Sequence, residues 1–404
     1  MSRSSSNRIA LAFAQIGHGY SHLFMLLYPT VVIALERELN MSYGDLLVLM
    51  TAGNVLFGVA ALPAGWLGDR WSATGMMCVM YVGMGAAAIL TGLASSPLGL
   101  AAGLALIGLF AAIYHPVGTS CVVRTAENRG RALGLNGVFG SLGVASAGLV
   151  AGVLTDLVSW RAAFIVPGIV SVATGAVLVV LWRSGRVVDT HVDARPEPEP
   201  QRSAVVRAFI VLAITMACAG ILSQCLTVAL PKIFAERLPE VTGGTATGAG
   251  VLVSAVYLMG MGAQLLGGYL ADRYSLRVTY ALIYAAALPL LVIAAGIGGW
   301  PLFVFAAAAT LMNLLAVPTE NSLLSRYSPG RWRATAFGAK FVLSLGVAAL
   351  GVPLVAYIYN ATGDFYWLFI VLAVLSGAIV LASLALPREE PRRDAEIIVQ
   401  KAGI

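Results

Sequence analysis

Residues 65–70 read Gly65-Trp66-Leu67-Gly68-Asp69-Arg70, and residues 268–273 read Gly268-Tyr269-Leu270-Ala271-Asp272-Arg273. Both hexamers fit the pattern Gly-x-Leu-x-Asp-Arg, at an offset of 203 residues. Two further matches keep nearly the same spacing. Arg129, Arg131 and Ala132 correspond to Arg331, Arg333 and Ala334 at an offset of 202. Ser141-Leu142-Gly143-Val144-Ala145 corresponds to Ser344-Leu345-Gly346-Val347-Ala348 at 203. Three separate matches at one spacing mark two tandem copies of a single structural unit.

Composition says what kind of unit this is. The 404 residues are 59% hydrophobic and 11% charged. Soluble chains carry roughly a quarter charged residues, so this one needs lipid to cover its apolar surface. The apolar runs are long enough to cross a bilayer, about 20 residues each. Backbone groups in hydrocarbon must be paired inside the segment, so runs rich in Leu, Ala, Gly and Val read as helices. Twelve spans are expected, at 9–35, 44–68, 74–95, 97–123, 131–158 and 161–182, then 208–234, 247–271, 277–299, 300–325, 333–359 and 363–386.

The basic residues orient the chain. Of 25 Lys and Arg, twenty fall on the side of the two termini, four on the opposite side (Arg37, Arg161, Lys232 and Arg237) and Lys340 inside a span. The positive-inside rule then places both termini in the cytoplasm. It also accounts for the net charge of +6, which has no basic patch with interleaved aromatics, so no nucleic-acid partner is expected. Met1–Arg8 lacks a cleavable signal pattern, and the first span reads as retained. The stretch Arg195-Pro196-Glu197-Pro198-Glu199-Pro200 is polar and Pro-rich, as in an extended linker. The expected organisation is a six-helix bundle at 1–184, a cytoplasmic linker at 185–207, a second six-helix bundle at 208–388 and a tail at 389–404. Cys78, Cys121, Cys218 and Cys225 lie in or beside apolar runs without metal-ligand spacing and read as small buried residues.

With its Gly-x-Leu-x-Asp-Arg elements after the second span of each half, the chain resembles the major facilitator superfamily over its whole length. Ser21-His22 followed by Tyr28-Pro29, and Tyr114-His115-Pro116 in span four, resemble a finer group, the fosmidomycin-resistance branch. The resemblance implies an all-α membrane protein of twelve transmembrane helices in two six-helix bundles, in a bacterial inner (plasma) membrane. It implies that Asp69, Arg70, Asp272 and Arg273, with Arg131 and Arg333, act as cytoplasmic latches between conformations. Helices one and four, and seven, eight, ten and eleven, would line a central cavity. The branch implies proton-coupled export of an anionic compound or drug. Drug antiporters of the superfamily often carry a Gly-Pro pair in span five; here that span has glycines at 134, 137, 140, 143, 148 and 152 but no Pro.

Ionisable residues inside spans are costly in lipid and mark functional candidates. Glu320 is the one carboxylate clearly inside a span, and Lys340 the one base. Glu320 lies about six residues into span ten, roughly 9 Å deep at 1.5 Å per residue, and Lys340 roughly 10 Å into span eleven. They can form an ion pair facing the cavity, a static pair that fixes helix packing, or two separate groups reaching the interface. Asn321 lies beside Glu320. His18 and His22, four apart, share one face of helix one, and Tyr114 and His115 lie on helix four. An imidazole there can bind solute, carry a proton or simply pack. Two histidines without a third ligand do not make a metal site, and neither a metal nor a cofactor is expected.

No nucleotide-binding loop of the Gly-x-x-x-x-Gly-Lys-Ser/Thr type is present. A gradient must therefore drive transport, and protons suit the titratable groups available. Protonating Glu320 would free Lys340 for an anion, which is symport logic; a cation competing with protons for Glu320 would give antiport. The expectation is a secondary active, proton-coupled exporter of a small organic solute, working as a monomer. Proton-symport uptake of an organic anion and uncoupled facilitation remain alternatives. An enzyme would need a nucleophile–base–orienter set, and none stands out.

Overall fold

The computed structural model of the chain describes residues 3–125, 129–187, 202–327, 340 and 342–387. Among them all regular structure is helical. Eleven helices are long and apolar enough to cross a bilayer, and a bent helix pair makes the twelfth span. Spans one to six are Ser6–Leu39, the pair Tyr43–Val59 and Ala61–Arg70, Ala73–Gly92, Pro97–Thr125, Ala132–Leu157 and Ala162–Arg183. Spans seven to twelve are Val206–Arg237, Ala246–Arg273, Leu276–Ala295, Gly299–Tyr327, Val342–Thr362 and Tyr366–Ser383. An even number of crossings brings both ends of the chain to one face, called here the terminal face.

Local chemistry sets where spans begin and bend. Ser72, Ser96, Thr245 and Ser275 start spans three, four, eight and nine, each accepting the amide of the residue three further on, as good N-caps do. Span two bends by 41° between its two helices. Pro63 lies just beyond the bend, where its ring crowds the carbonyl of Val59 and its missing N–H leaves that carbonyl without a helical donor. Span seven continues a helix that begins at Arg202, so residues 202–207, expected as linker, are helical. The polar start of that helix can lie in the aqueous interface, where a helix needs no apolar surface. The rest of the expected linker, 188–201, lies outside the described residues, as do the tail at 389–404 and Arg333.

The halves repeat one another in packing. Span three packs on span six and span nine on span twelve. Between halves, span five packs on span eight and span two on span eleven. Advancing each number by six converts one inter-half pair into the other, as a twofold axis through the molecule requires. The repeat reaches individual side chains. On the face away from the termini, Arg161 at the start of span six pairs with Glu38 at the end of span one, 3.2 Å, and donates to Ala94 O at the end of span three. In the second half Arg237, at the end of span seven, pairs with Asp364 before span twelve and donates to Ala294 O and Ala295 O at the end of span nine. The ion pair occupies the same place with its charges exchanged. In both halves a guanidinium meets the carbonyls that end a helix, where a cation is favoured.

Glycine makes the inter-half contacts close. A Cβ on Gly250 of span eight would lie 2.1 Å from Gly148 O of span five, and one on Gly58 of span two 2.3 Å from Gly346 N of span eleven. Gly250→Ala should therefore cost about 1–3 kcal/mol, as overpacking does, and lower the melting temperature of the detergent-solubilised protein. Gly262→Ala, on the same span with nothing within 4 Å of its added Cβ, should leave it unchanged.

Candidate functional site

At mid-depth between the halves lies a cavity of about 320 Å³, walled by spans one, two, five, seven, eight, ten and eleven. Among the described residues its polar lining consists of amides, hydroxyls and the imidazoles of His18 and His22, with no carboxylate, ammonium or guanidinium. Two bridges cross between halves. Gln224 Nε2 donates to Asn54 Oδ1 at 3.0 Å, and Gln264 Nε2 to Ser141 Oγ at 3.3 Å.

The cavity is sealed on the face away from the termini. Lys232 Nζ of span seven lies 2.5 Å from Glu36 of span one and 3.1 Å from Glu236 on its own helix. The rings of Tyr43 and Tyr359 stand 5.6 and 5.8 Å from the same ammonium, and Tyr359 donates to Glu236. Asn360 links span eleven to Ser42 and Asp45 at the start of span two. Asp156 accepts the amide of Thr247 across the other inter-half contact. Lys232, Glu36 and this seal were not among the sequence candidates. Their positions near span ends look like ordinary interfacial charges, and only the meeting of spans one and seven distinguishes them.

The sequence candidates of the first half gather behind the cavity wall. His18 and His22 line the wall, whereas span four, with Tyr114 and His115, does not. Tyr114 stacks on His18 at 4.6 Å, and His115 stands edge-on to His18 and His22 at 5.7 and 5.4 Å. A π-helical turn at Tyr114–Gly118 places these two consecutive residues against span one. Pro116 within it denies Ala112 O the usual donor, and such turns recur at functional sites. Tyr114 donates to Asn136 Oδ1 at 2.6 Å, and His18 Nδ1 donates to Asn136 O at 2.7 Å. Gly140 makes room for the His18 ring, since a Cβ there would lie 2.5 Å from it.

Glu320 and Lys340 form an ion pair at 2.7 Å. They are 6% and 8% exposed. Tyr280 donates to the second carboxylate oxygen at 2.8 Å, and Lys340 donates to Asn321 Oδ1. The pair does not face the cavity as expected: the wall on span ten consists of Leu314 and Val317. Tyr280 belongs to span nine, which contributes nothing to the wall, so Glu320 is turned into the packed interior of the second half. Lys340 precedes the wall residue Ser344 by four residues in the chain.

The described latch candidates stand at the terminal-face ends of spans two, five and eight. Asp69 pairs with Arg124 of its own half at 2.8 Å. Gly65 and Gly68 seat this end of span two on span four, where added Cβ atoms would meet Pro116 and Val117 at 3.0 and 2.8 Å. Arg70 lies over Trp66, and Arg273 over Tyr269. Asp272 is exposed at the end of span eight. A Cβ on Gly268, the counterpart of Gly65, would meet nothing within 4 Å among the described residues, whereas one on Gly267 would lie 2.2 Å from Leu315 O. Arg131 lies at the start of span five, its side chain outside the described residues, and Arg333 lies outside them altogether. Among the described residues no group of three His, Cys, Asp or Glu could hold a metal ion.

Twelve spans in two like halves around a central cavity define a membrane transporter of small solutes rather than an enzyme. Residues 16–238 and 212–402 match the sequence model of the Major Facilitator Superfamily, and the chain belongs to that family. It is 24% identical over 382 residues, 87% of this chain and 86% of the relative, to a protein of Cupriavidus necator described as a probable sulfoacetate transporter, SauU. It is 32% identical over 148 residues to the puromycin resistance protein pur8 of Streptomyces alboniger, a match spanning 35% of this chain and 29% of that protein. A transporter of the POT family in complex with 5-aminolevulinic acid shares the fold, with TM-score 0.76, 15% identity and coverage of 94% and 96%. So does the FucP transporter in the outward conformation, with TM-score 0.61, 16% identity and coverage of 95% and 100%.

The buried pair gives a prediction about stability. Lys340→Met should destabilise by about 3–5 kcal/mol, because it strands a buried carboxylate. Adding Glu320→Gln should recover most of that loss. Thermal unfolding of both variants in detergent measures the difference.

Proposed function

We propose that the protein carries a small organic anion across a bacterial inner membrane by alternating access, coupled to protons through Glu320 and Lys340. The observation that carries this reading is the buried ion pair of Glu320 with Lys340, four residues along the chain from the wall residue Ser344. Protonating Glu320 removes the counter-charge of Lys340. The ammonium, still held by Asn321, then has an anion in the neighbouring cavity as its best partner. Proton and anion load together on this scheme. The near full-length likeness to a probable sulfoacetate transporter supports an organic anion as solute.

The bias of basic residues places the terminal face in the cytoplasm. The seal around Lys232 then closes the outer side, as in an inward-facing state. Rocking of the two bundles about their glycine contacts exchanges this state for its opposite. In that opposite state the exposed Asp69 and Asp272 elements would approach the other half and act as the cytoplasmic latches.

A second reading, export by proton antiport, is favoured by the local likeness to the puromycin resistance protein. Purified protein in sealed liposomes with a pH dye separates the two. Under symport, an inward gradient of sulfoacetate or succinate draws protons inward; Glu320→Gln abolishes that flux, and Lys340→Ala slows anion entry at least about tenfold. Protons moving against the solute, or driven by a lipophilic cation, would establish the export reading. Normal coupled transport in both variants would leave the pair a packing element and refute the proposal.

A further inference from the structure

Among the described residues the cavity wall carries no carboxylate, ammonium or guanidinium, yet an anion entering mid-membrane needs a positive partner. We propose that His18 and His22 form the anion-binding site of the first half, taking up one proton at His22 Nδ1 as the solute's anionic group binds. This rests on the organic-anion reading above and adds a site to it, across the cavity from the second half.

Hydrogen bonding fixes the tautomers. His18 Nδ1 lies 2.7 Å from Asn136 O, and a carbonyl only accepts, so Nδ1 carries the proton. The Nε2 of a neutral His18 is then an acceptor. It lies 3.2 Å from His22 Nε2, which must be the donor. That leaves His22 Nδ1 with a lone pair. A proton placed instead on His18 Nε2 would set two N–H groups head to head. The incoming proton therefore goes to Nδ1 of His22, and the resulting imidazolium is backed by a chain running through His18 to the Asn136 carbonyl.

The surroundings favour a single transient charge. His22 stands at the middle of the 34-residue first span. The titratable groups described around the pair are Tyr114 and His115 of span four, with Tyr257 on span eight across the cavity. Spans two, five and seven face it with Phe57, Asn136 and Gln224, which do not titrate. The stacked Tyr114 ring can bear a neighbouring cation. With no carboxylate or fixed cation in the wall, neither a lone proton nor a lone anion is well accommodated. The two together are neutral, so each raises the affinity for the other.

The test is anion affinity against pH, measured on the purified full-length protein with methanesulfonate and sulfoacetate. Their sulfonate groups stay ionised, so proton uptake seen with methanesulfonate belongs to the protein. Between about pH 5.5 and 8, one linked proton changes affinity by about tenfold per pH unit. His22→Gln keeps a donor for His18 but cannot take the proton. It should lower the slope of log Kd against pH by one unit, and proton uptake per bound anion by one, in the wild-type and Glu320→Gln backgrounds alike. An unchanged slope and proton uptake in His22→Gln would overturn this inference while leaving Glu320 as the coupling group. Parent protein that binds neither sulfonate at any pH would remove the organic-anion reading, and this site with it.

Discussion

Two helices can approach until their backbones touch only where neither carries a side chain. Gly148 against Gly250, and Gly58 against Gly346, bring the halves together in this way. In lipid every backbone donor and acceptor is already used within its own helix. Such contacts therefore gain little from polar pairing and depend on shape. That suits a joint that must hold in one state and slide in another. The rest of the architecture follows from where these contacts lie. They bring spans five and eight, and two and eleven, into register, and these four spans, with spans one, seven and ten, wall a cavity at mid-depth.

Around that joint the charges divide into two kinds. Within each half, Arg161–Glu38 and Arg237–Asp364 tie the ends of three spans together. Between halves, Lys232 binds Glu36 directly. The first kind can persist as each bundle moves as a body. The second must separate before the face away from the termini can open. Lys232 keeps Glu236 on its own helix when Glu36 leaves, so opening does not strand the ammonium in an apolar setting.

The twelve spans and the internal repeat were legible in the sequence, because each is a property of one helix or of linear spacing. The cavity wall was not. Whether Glu320 faces a cavity or Tyr280 depends on how span ten is rotated against span nine, and a span apolar on nearly every side carries no periodic signal to fix that rotation. Tyr114 and His115 stood out as a pair, but their placement behind His18 depends on a π turn that linear spacing does not reveal. The seal at Lys232 escaped notice for a related reason: its partner, Glu36, is 196 residues away. The failed equivalence of Gly65 and Gly268 is instructive as well. The repeat preserves the motif, while the close approach shifts by one residue to Gly267.

Three of the four basic residues on the face away from the termini have acidic partners: Arg161 with Glu38, Lys232 with Glu36 and Glu236, and Arg237 with Asp364. For Lys232 the partner Glu236 lies one helical turn along the same span. Such a pair forms as soon as the helix does. During biosynthesis the segment can therefore cross with its positive charge already countered, before any neighbouring span has arrived. These exceptions to the orienting rule thus have acidic compensation, for Lys232 on its own helix, so they weigh little against the bias of the other basic residues.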